Sequence, residues 1–226
     1  MDDPVMQTLL ESLFPPGVVV VAAGDHTAPG RLFPEEEAAL TNALENRRRE
    51  FAVGRTCARQ ALRVLGVDPV AIPARADRAP AWPVDVVGTI THCPGLVAAA
   101  VASRDRFAAI GLDAESRERA LENNLDRLIR TPAERSRMDR LAFPVDIDVV
   151  RLVFSAKESV HKCIAPMSGM TLGFHDVELD MNLELGRFSV RLVGVPDDRL
   201  PDFERIAGRF TVTDEFVLTT ALIRAE

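Results

Sequence analysis

The chain has 226 residues, of which 47% are hydrophobic and 27% are charged, and its formal net charge is -7. This length and composition favour a folded chain with a sizeable core, and the excess of acids argues against general nucleic-acid binding. No apolar run approaches the ~18 residues of a membrane span, and the acidic start Met-Asp-Asp-Pro lacks the basic residues of a signal peptide, so we expect a cytoplasmic protein.

Helices and strands alternate through the first part of the sequence. Pro34 followed by three glutamates is a typical helix start, because proline is tolerated there and acids stabilise the positive end of the helix dipole. Gly66 is a typical helix end. The predicted elements are, in order, a helix at 6–14, a strand at 18–23, helices at 34–44 and 47–65, a short strand near Ala71, and strands at 88–92, 96–103 and 107–112.

The rest of the sequence predicts three helices and then four antiparallel strands. The helices are expected at 116–129, 132–140 and 149–165, and the strands at 176–183, 187–193, 209–213 and 215–223. A faint internal repeat lays residues 51–59 on residues 154–162. We therefore predict an α+β fold of two pseudo-symmetric halves, residues 1–105 and 106–226, with the active site in the cleft between them.

Lysine is almost absent from the basic residues. Of the 27 lysines and arginines, only Lys157 and Lys162 are lysine, and both lie on one short segment. Because lysine carries a compact point charge and arginine a wide planar fork, a tight site can require lysine. The alternative is that the two lysines survive side by side through chance.

Two carboxylates close an apolar strand that ends in Ile110-Gly111-Leu112-Asp113-Ala114-Glu115. Since side chains alternate along a strand, Asp113 and Glu115 can project to the same side. Adjacent carboxylates repel each other unless a cation lies between them, and oxygen ligands without histidine or cysteine are typical of Mg²⁺. The alternative is a solvated strand end.

A second candidate lies on the helix predicted at 149–165. Glu158 and Lys162 are i,i+4 neighbours there, and so are Lys157 and His161. Glu158 can complete a metal site while Lys162 neutralises a phosphate. The alternative is an exposed salt bridge worth ~0.3–0.5 kcal/mol.

Hydrogen-bond donors gather at the end of the strand 88–92. Thr89, Thr91 and His92 lie there, and a histidine in this position can bind a phosphate. The alternatives are a turn-capping histidine and a buried Cys93. A His92–Cys93 dyad for nucleophilic catalysis is disfavoured, because neighbours in a strand point to opposite faces.

Arginines crowd the helix predicted at 47–65. They are Arg47, Arg48, Arg49, Arg55, Arg59 and Arg63, and Glu50 is the single acid among them. Those at 48, 55, 59 and 63 share one helical face. Arginine suits phosphate because it forms bidentate hydrogen bonds, although an ordinary solvated face is the alternative for each residue taken alone.

Together these segments resemble the 4′-phosphopantetheinyl transferases, in particular the long two-half type related to the enterobactin-synthase and surfactin-type enzymes. The similar stretches are Arg47–Arg59, Ala81–Cys93, Ile110–Glu115 and Phe154–Lys162. They occur in the order and at the separations of that family. Ala114 departs from some members, which carry a further ligand between the two carboxylates.

The resemblance implies roles for individual residues. The implied metal ligands are Asp113, Glu115 and Glu158. The implied catalytic residues are Glu158, which accepts the proton of the carrier serine directly or through water, and Lys162, which contacts the attacked phosphate. The implied coenzyme A contacts are Lys157, Thr91 and His92, with Arg47, Arg55 and Arg75 holding the nucleotide and its 3′-phosphate.

The resemblance also implies the reaction and its partners. A Mg²⁺-dependent enzyme, with Mn²⁺ as a substitute, would move the 4′-phosphopantetheine arm of coenzyme A to a serine of an apo acyl or peptidyl carrier protein and release 3′,5′-ADP. We expect a monomer that binds neither nucleic acid nor membrane. Siderophore, polyketide, fatty-acid and peptide synthesis all stay open as pathways.

Two rival hypotheses belong to other functional classes. One is a coenzyme A-binding protein without catalysis, which the joint presence of Asp113, Glu115, Glu158 and Lys162 disfavours. The other is a nucleic-acid-binding module that uses the arginine face at 47–63, which the net negative charge disfavours.

Overall fold

The computed structural model describes residues 4–24, 27–118, 124–144, 146–170, 172–193 and 199–226. Its helices are α1 (Pro4–Ser12), α2 (Pro34–Glu37), α3 (Glu45–Val64), α4 (Leu125–Ile129), α5 (Pro132–Met138) and α6 (Val149–Ser168), with 3-10 turns at Ala38–Leu40 and Phe203–Arg205. Its strands are β1 (Val18–Ala23), β2 (Val86–Cys93), β3 (Leu96–Ser103), β4 (Phe107–Ser116), β5 (Val177–Asn182), β6 (Arg187–Leu192), β7 (Ala207–Val212) and β8 (Phe216–Arg224). The fold class is α+β, as predicted. Within the described ranges no helix is long and apolar enough to cross a bilayer.

Most predicted elements are present, and the errors lie in the connections. β1 and β3 have the predicted bounds, whereas the helix predicted at 34–44 ends after α2 and one 3-10 turn. The strand predicted near Ala71 is wrong: only an isolated bridge joins Ala74 to Pro80 there, in a stretch whose prolines have no N–H to donate to a neighbouring strand. The helix predicted at 116–129 is wrong at its start, since β4 continues to Ser116, and residues 119–123 lie outside the described residues.

The described strands form two antiparallel sheets. The first has the order β1-β3-β2 and the second the order β4-β8-β7-β6-β5. α3 packs on the first sheet, where Val53, Ala58 and Leu62 meet Val97 and Val101 in one apolar cluster. α6 packs on β4 and β8 of the second sheet in the same manner. The division into halves at 1–105 and 106–226 stays a prediction.

The two sheets adjoin along β2 and β4, which run in the same direction. They are joined through threonine side chains: the backbone N–H of Leu112 donates to Thr89 Oγ1, and that of Ala114 to Thr91 Oγ1, each at 3.2 Å. Both threonines are buried, so their hydroxyls satisfy backbone donors that would otherwise lack a partner. This junction brings the end of β2 beside the acidic end of β4.

A glycine sets the distance between β4 and α6. A Cβ atom added at Gly111 would lie 1.9 Å from the carbonyl oxygen of Ser159 and 2.9 Å from the backbone nitrogen of Cys163. Only glycine permits such a close approach of helix backbone to strand. The approach presses one face of α6 against the strand that carries Asp113.

A buried glutamate ties the start of α2 to α3 and to a loop. Glu36 accepts the backbone N–H groups of Phe33 at 2.8 Å and of Ile72 at 2.9 Å. It also accepts Arg59 of α3 at 2.8 and 3.0 Å. We call this pair the arginine clasp.

The second part of the chain repeats that arrangement. Glu134 accepts the backbone N–H groups of Thr131 and Leu179, each at 2.8 Å, and the ammonium of Lys157 at 2.7 Å. We call the Lys157–Glu134 pair the lysine clasp. In both clasps the cation lies 23 residues after its glutamate. By its contacts, Lys157 is therefore the structural equivalent of Arg59. The repeat in the sequence instead aligns Lys162 with Arg59.

Candidate active site

A pocket of about 330 Å³ lies between α3, β2, α6 and the loop at 77–80. Six of the predicted site residues line it, namely Arg47, Arg55, Thr91, His92, Glu158 and Lys162. α3 therefore contributes Arg47 and Arg55 to the pocket, and α6 contributes Glu158 and Lys162. A pocket lined by cationic side chains and carboxylates suits a polyanionic ligand that arrives with a divalent cation.

Asp113 is held by three neighbouring side chains. It is buried, and its Oδ1 accepts the ammonium of Lys162 at 2.7 Å and the hydroxyl of Thr91 at 3.3 Å. Its Oδ2 accepts Ser155 Oγ at 2.8 Å. Strands of both sheets and α6 thus meet at this one carboxylate, which joins the second-sheet strand β4 to the pocket.

Lys162 lies between the pocket and β4. Besides Asp113, its ammonium donates to the carbonyl oxygen of Leu112 at 3.2 Å and contacts Thr91 Oγ1 at 3.3 Å. Its side chain keeps 27% of its surface exposed, so that the ammonium faces solvent-accessible space on one side. A half-buried ammonium in this place can stabilise negative charge that develops on a bound phosphate.

Glu158 is half-buried on the pocket side of α6. Burial raises the pKa of its carboxyl above the ordinary value, the neighbouring charge of Asp113 raises the pKa further, and Lys162 opposes both effects. Two carboxylates that repel each other across a small space form an unfavourable arrangement, which a divalent cation would relieve.

The donor chemistry of this corner fits Mg²⁺. Asp113 and Glu158 are hard oxygen ligands that influence each other electrostatically, and Asp113 already accepts one cation, the ammonium of Lys162. Glu115 follows two residues later on β4, on the same side of the strand. Within the parts of the chain that the structure describes, however, no three acidic, histidine or cysteine side chains are gathered closely enough to bind a metal ion. The predicted set of three carboxylate ligands therefore stays a prediction.

His92 is held at the mouth of the pocket by two residues of α3. Its Nε2 contacts a guanidinium nitrogen of Arg47, and its Nδ1 lies 3.3 Å from Glu50 Oε2. A guanidinium can only donate, so Nε2 accepts and the ring proton lies on Nδ1, facing the carboxylate. Burial and the charge of Arg47 lower the pKa of His92, and the imidazole is therefore neutral at pH 7.

Arg55 reaches the pocket from the middle of α3. Its guanidinium carbon lies 4.1 Å from the centre of the Phe51 ring, and its Nε donates to the carbonyl oxygen of Ile72 at 2.6 Å. Burial lowers the pKa of Arg55 to about 10, so the side chain stays charged at neutral pH. The stacking on Phe51 and the hydrogen bond to Ile72 fix the orientation of the Arg55 guanidinium group.

The remaining arginines of α3 do not act together. Arg59 belongs to the arginine clasp, and Arg48 pairs with Glu37 at 2.9 Å on the surface. The arginines of the face predicted from the sequence therefore have different roles. Arg48 and Arg59 form ion pairs with glutamates, whereas Arg55 lines the pocket.

The structure leaves Arg75 outside the pocket lining. Its guanidinium pairs with Asp77 at 3.4 Å, and the pocket is lined instead by the following residues Asp77, Arg78, Ala79 and Pro80. Arg78 adopts a left-handed backbone conformation with φ of 67°. The nucleotide contact by Arg75 thus stays a prediction. Arg78, three residues later, is the arginine of this loop that lines the pocket.

Lys157 is not placed as the resemblance implied. Its ammonium donates to Glu134 at 2.7 Å and to the carbonyl oxygens of Ile129 at 2.8 Å and Phe174 at 2.6 Å. The side chain is buried, and these three acceptors account for all three of its protons. The position therefore gives no support to a direct contact with coenzyme A phosphates, and the residue is part of the lysine clasp.

Cys93 closes the turn beside His92 without the properties of a nucleophile. Burial raises the pKa of its thiol to about 12, and the nearby charges of Glu115 and Asp113 act in the same direction. A thiol with that pKa is protonated at neutral pH, which agrees with the rejection of a His92–Cys93 dyad.

Sequence reasoning missed the residues that support the site. Ser155, which donates to Asp113, lies within the stretch Phe154–Lys162 but was given no role there, and Thr219, which lies 3.0 Å from Ser155 Oγ, belongs to none of the motifs. The sequence Thr131-Pro-Ala-Glu134 does match a capping box, and this signal predicts the start of α5. It gives no indication that Glu134 also pairs with a lysine of α6.

Comparison with known families agrees with the resemblance. A family model described as the 4′-phosphopantetheinyl transferase N-terminal domain matches residues 35–102. A second one, described as the 4′-phosphopantetheinyl transferase superfamily, matches residues 109–221. The first match ends within β3 and the second begins within β4, so the gap between them covers the point where the chain passes from the first sheet to the second.

Similar proteins come from several bacteria. The 4′-phosphopantetheinyl transferase Npt of Nocardia iowensis is 35% identical over 220 residues, which are 93% of this chain and 98% of that protein. The 4′-phosphopantetheinyl transferase Svp of Streptomyces mobaraensis is 39% identical over 200 residues, or 86% and 79%. The enterobactin synthase component D of Escherichia coli strain K12 is 38% identical over 131 residues, or 55% and 58%.

Proposed function

Because the chain belongs to the 4′-phosphopantetheinyl transferase superfamily, we propose that it moves the 4′-phosphopantetheine arm of coenzyme A to a serine of an apo acyl or peptidyl carrier protein. It is an enzyme of the phosphopantetheinyl transferase class. The observation that carries the proposal is the pocket in which Lys162, bound to Asp113, faces Glu158 and the cationic residues of α3.

The arginine side of the pocket is proposed to hold coenzyme A. Coenzyme A carries several negative charges, whereas the chain as a whole is acidic, so a local group of cations has to provide the attraction. Arg47 and Arg55 offer planar forks that match phosphate oxygens, and the supports of Arg55 reduce the entropy lost on binding. His92 lines the same pocket and contacts Arg47.

Asp113 and Glu158, with Glu115, are proposed to hold Mg²⁺. When bound, the ion would neutralise charge on the diphosphate oxygens. The chain's own contribution is to gather the acidic side chains on β4 and α6 and to orient Asp113 through Thr91 and Ser155.

Glu158 and Lys162 are proposed to act on the reacting groups. The carrier serine oxygen forms a bond to the phosphorus that bears pantetheine, the bond from that phosphorus to the bridging oxygen breaks, and 3′,5′-ADP leaves with that oxygen. Glu158 accepts the serine proton directly or through water. Lys162 stabilises negative charge on the phosphate oxygens.

The test is a mass measurement on the carrier. Enzyme, coenzyme A, Mg²⁺ and several apo carrier domains are incubated, and each carrier is weighed. We expect a gain equal to one phosphopantetheine arm on at least one carrier, and loss of that gain with EDTA. Binding of coenzyme A without any gain across the carriers would favour the non-catalytic rival.

Glu158→Gln supplies the matched control for the mass assay. It keeps the size of the side chain and removes the charge and the basic oxygen. The variant is expected to bind coenzyme A and to leave the carrier mass unchanged.

A further inference from the structure

The lysine clasp fixes three segments of the chain at one point. The ammonium of Lys157 on α6 bonds to Ile129 at the end of α4 and to Phe174 just before β5. Its partner Glu134 holds the start of α5 and the backbone of Leu179 on β5. Because Lys157 is 2% exposed and Glu134 is fully buried, the bonds from Lys157 to Glu134 and Ile129 and from Leu179 to Glu134 are shielded from water, and the bond to Phe174 is partly buried.

The clasp lies next to the proposed catalytic face of α6. Consecutive residues on a helix differ by about 100° in direction, so Lys157 points to the clasp while Glu158 points to the pocket. On another side, the carbonyl oxygen of Ser159 lies against Gly111. The rotation of this part of α6 about its own axis is therefore held at two adjacent points, one ionic and one steric.

We propose that the lysine clasp is a positioning device, in which Lys157 and Glu134 fix the rotation of α6 so that Glu158 and Lys162 face the reacting phosphate. This inference rests on the proposed transferase function. In this proposal Lys157 acts through the helix that it anchors, because its three protons are already bonded to groups of the protein.

The arrangement also gives a reason for a lysine in a chain that otherwise uses arginine. Three acceptors, a carboxylate and two carbonyl oxygens, surround the Lys157 ammonium at 2.6 to 2.8 Å. That geometry suits three diverging protons on one compact atom. In the arginine clasp, Arg59 instead directs two bonds to Glu36 from one nitrogen and a third to the carbonyl oxygen of Arg31 from the other.

The arginine clasp supplies the matched control for the experiment. Glu134→Gln and Glu36→Gln each remove one buried carboxylate charge from beside a cation, and neither Glu36 nor Arg59 lines the pocket. Both variants are expected to lower the urea midpoint. Only Glu134→Gln is expected to lower kcat, by about 10-fold or more, with KM for coenzyme A within about 3-fold of wild type.

Hydrogen exchange provides a measurement that does not depend on activity. We expect faster amide exchange at residues 155–162 in Glu134→Gln and unchanged exchange there in Glu36→Gln. If the wild-type enzyme modified no carrier, the proposed function would fail, while this comparison would still decide whether the clasp holds α6. Equal exchange in the two variants, or equal kcat, would overturn the positioning role.

Two further variants keep the test decisive if Glu134→Gln does not fold. Lys157→Met combined with Glu134→Gln removes both buried charges and leaves no unpaired ion, so we expect a folded protein with the same loss of kcat. Full kcat in that folded double variant would contradict the inference. Lys157→Arg keeps the charge but misfits the three acceptors, and normal kcat in this variant would refute the requirement for lysine.

Discussion

Replacing Gly111 by alanine tests how closely α6 has to approach β4. The added Cβ would lie 1.9 Å from the carbonyl oxygen of Ser159, and ordinary contact between such atoms begins at about 3.4 Å. Both atoms belong to the backbone of regular elements, so no side-chain rotation can relieve the clash. α6 would have to move away from β4 by about 1.5 Å.

The expected cost follows from that displacement. Overpacking in a core costs about 1–3 kcal/mol, and we expect the upper end, because two regular elements must separate. For a chain of 226 residues this corresponds to a fall in Tm of roughly 6–12 °C. Since α6 carries Glu158 and Lys162, and a misplacement of about 1 Å is enough to lower kcat on the order of 10²-fold, we expect at least that loss from a displacement of about 1.5 Å.

Urea unfolding and the carrier mass assay measure the two effects separately. Gly54→Ala is the control, because its Cβ would meet side-chain methyl groups and no backbone atom, Ile90 at 3.0 Å and Val97 at 3.7 Å, and alanine is the better helix former. Its stability should stay within about 1 kcal/mol of wild type. Gly111→Ala with the stability and kcat of Gly54→Ala would refute the argument that the close contact positions α6.

Four further predictions test single residues. Glu158→Gln should abolish transfer while shifting the urea midpoint little, and an unchanged rate would contradict its proposed roles as base and metal ligand. Lys162→Arg should lower kcat on the order of 10²-fold, because the wider fork misfits a site closed by Asp113; near-normal turnover would show that lysine is not required. Arg59→Met should destabilise the protein by about 3–5 kcal/mol, because it leaves the buried carboxylate of Glu36 without its cation. Arg48→Met, which breaks an exposed ion pair, should cost under about 1 kcal/mol. Equal urea midpoints for the two variants would contradict this reasoning. Cys93, with its pKa raised to about 12 from 9.0, should react with iodoacetamide at pH 7 roughly 10³-fold more slowly than a free thiol, and the rate should keep rising with pH well above 9; a rapid reaction at pH 7 would indicate a thiolate.

The amino-acid sequence determined the elements whose signals are local. Apolar runs bounded by turn residues located β1 and β3, and helical periodicity located α3 and α6. The short motifs around Asp113, Glu158 and Lys162 were sufficient to identify the family. Local signals suffice for these features because strand alternation, helix periodicity and motif spacing depend on neighbouring residues alone.

The tertiary structure decided which charged residues share a space. Lys157 and Lys162 are indistinguishable in the sequence as surviving lysines, yet one bonds to Glu134 in a buried clasp and the other to Asp113 at the pocket. The partners come from segments 23 and 49 residues away in the chain. Sequence spacing does not encode such distances, because they are set by how α6 packs on the sheet behind it.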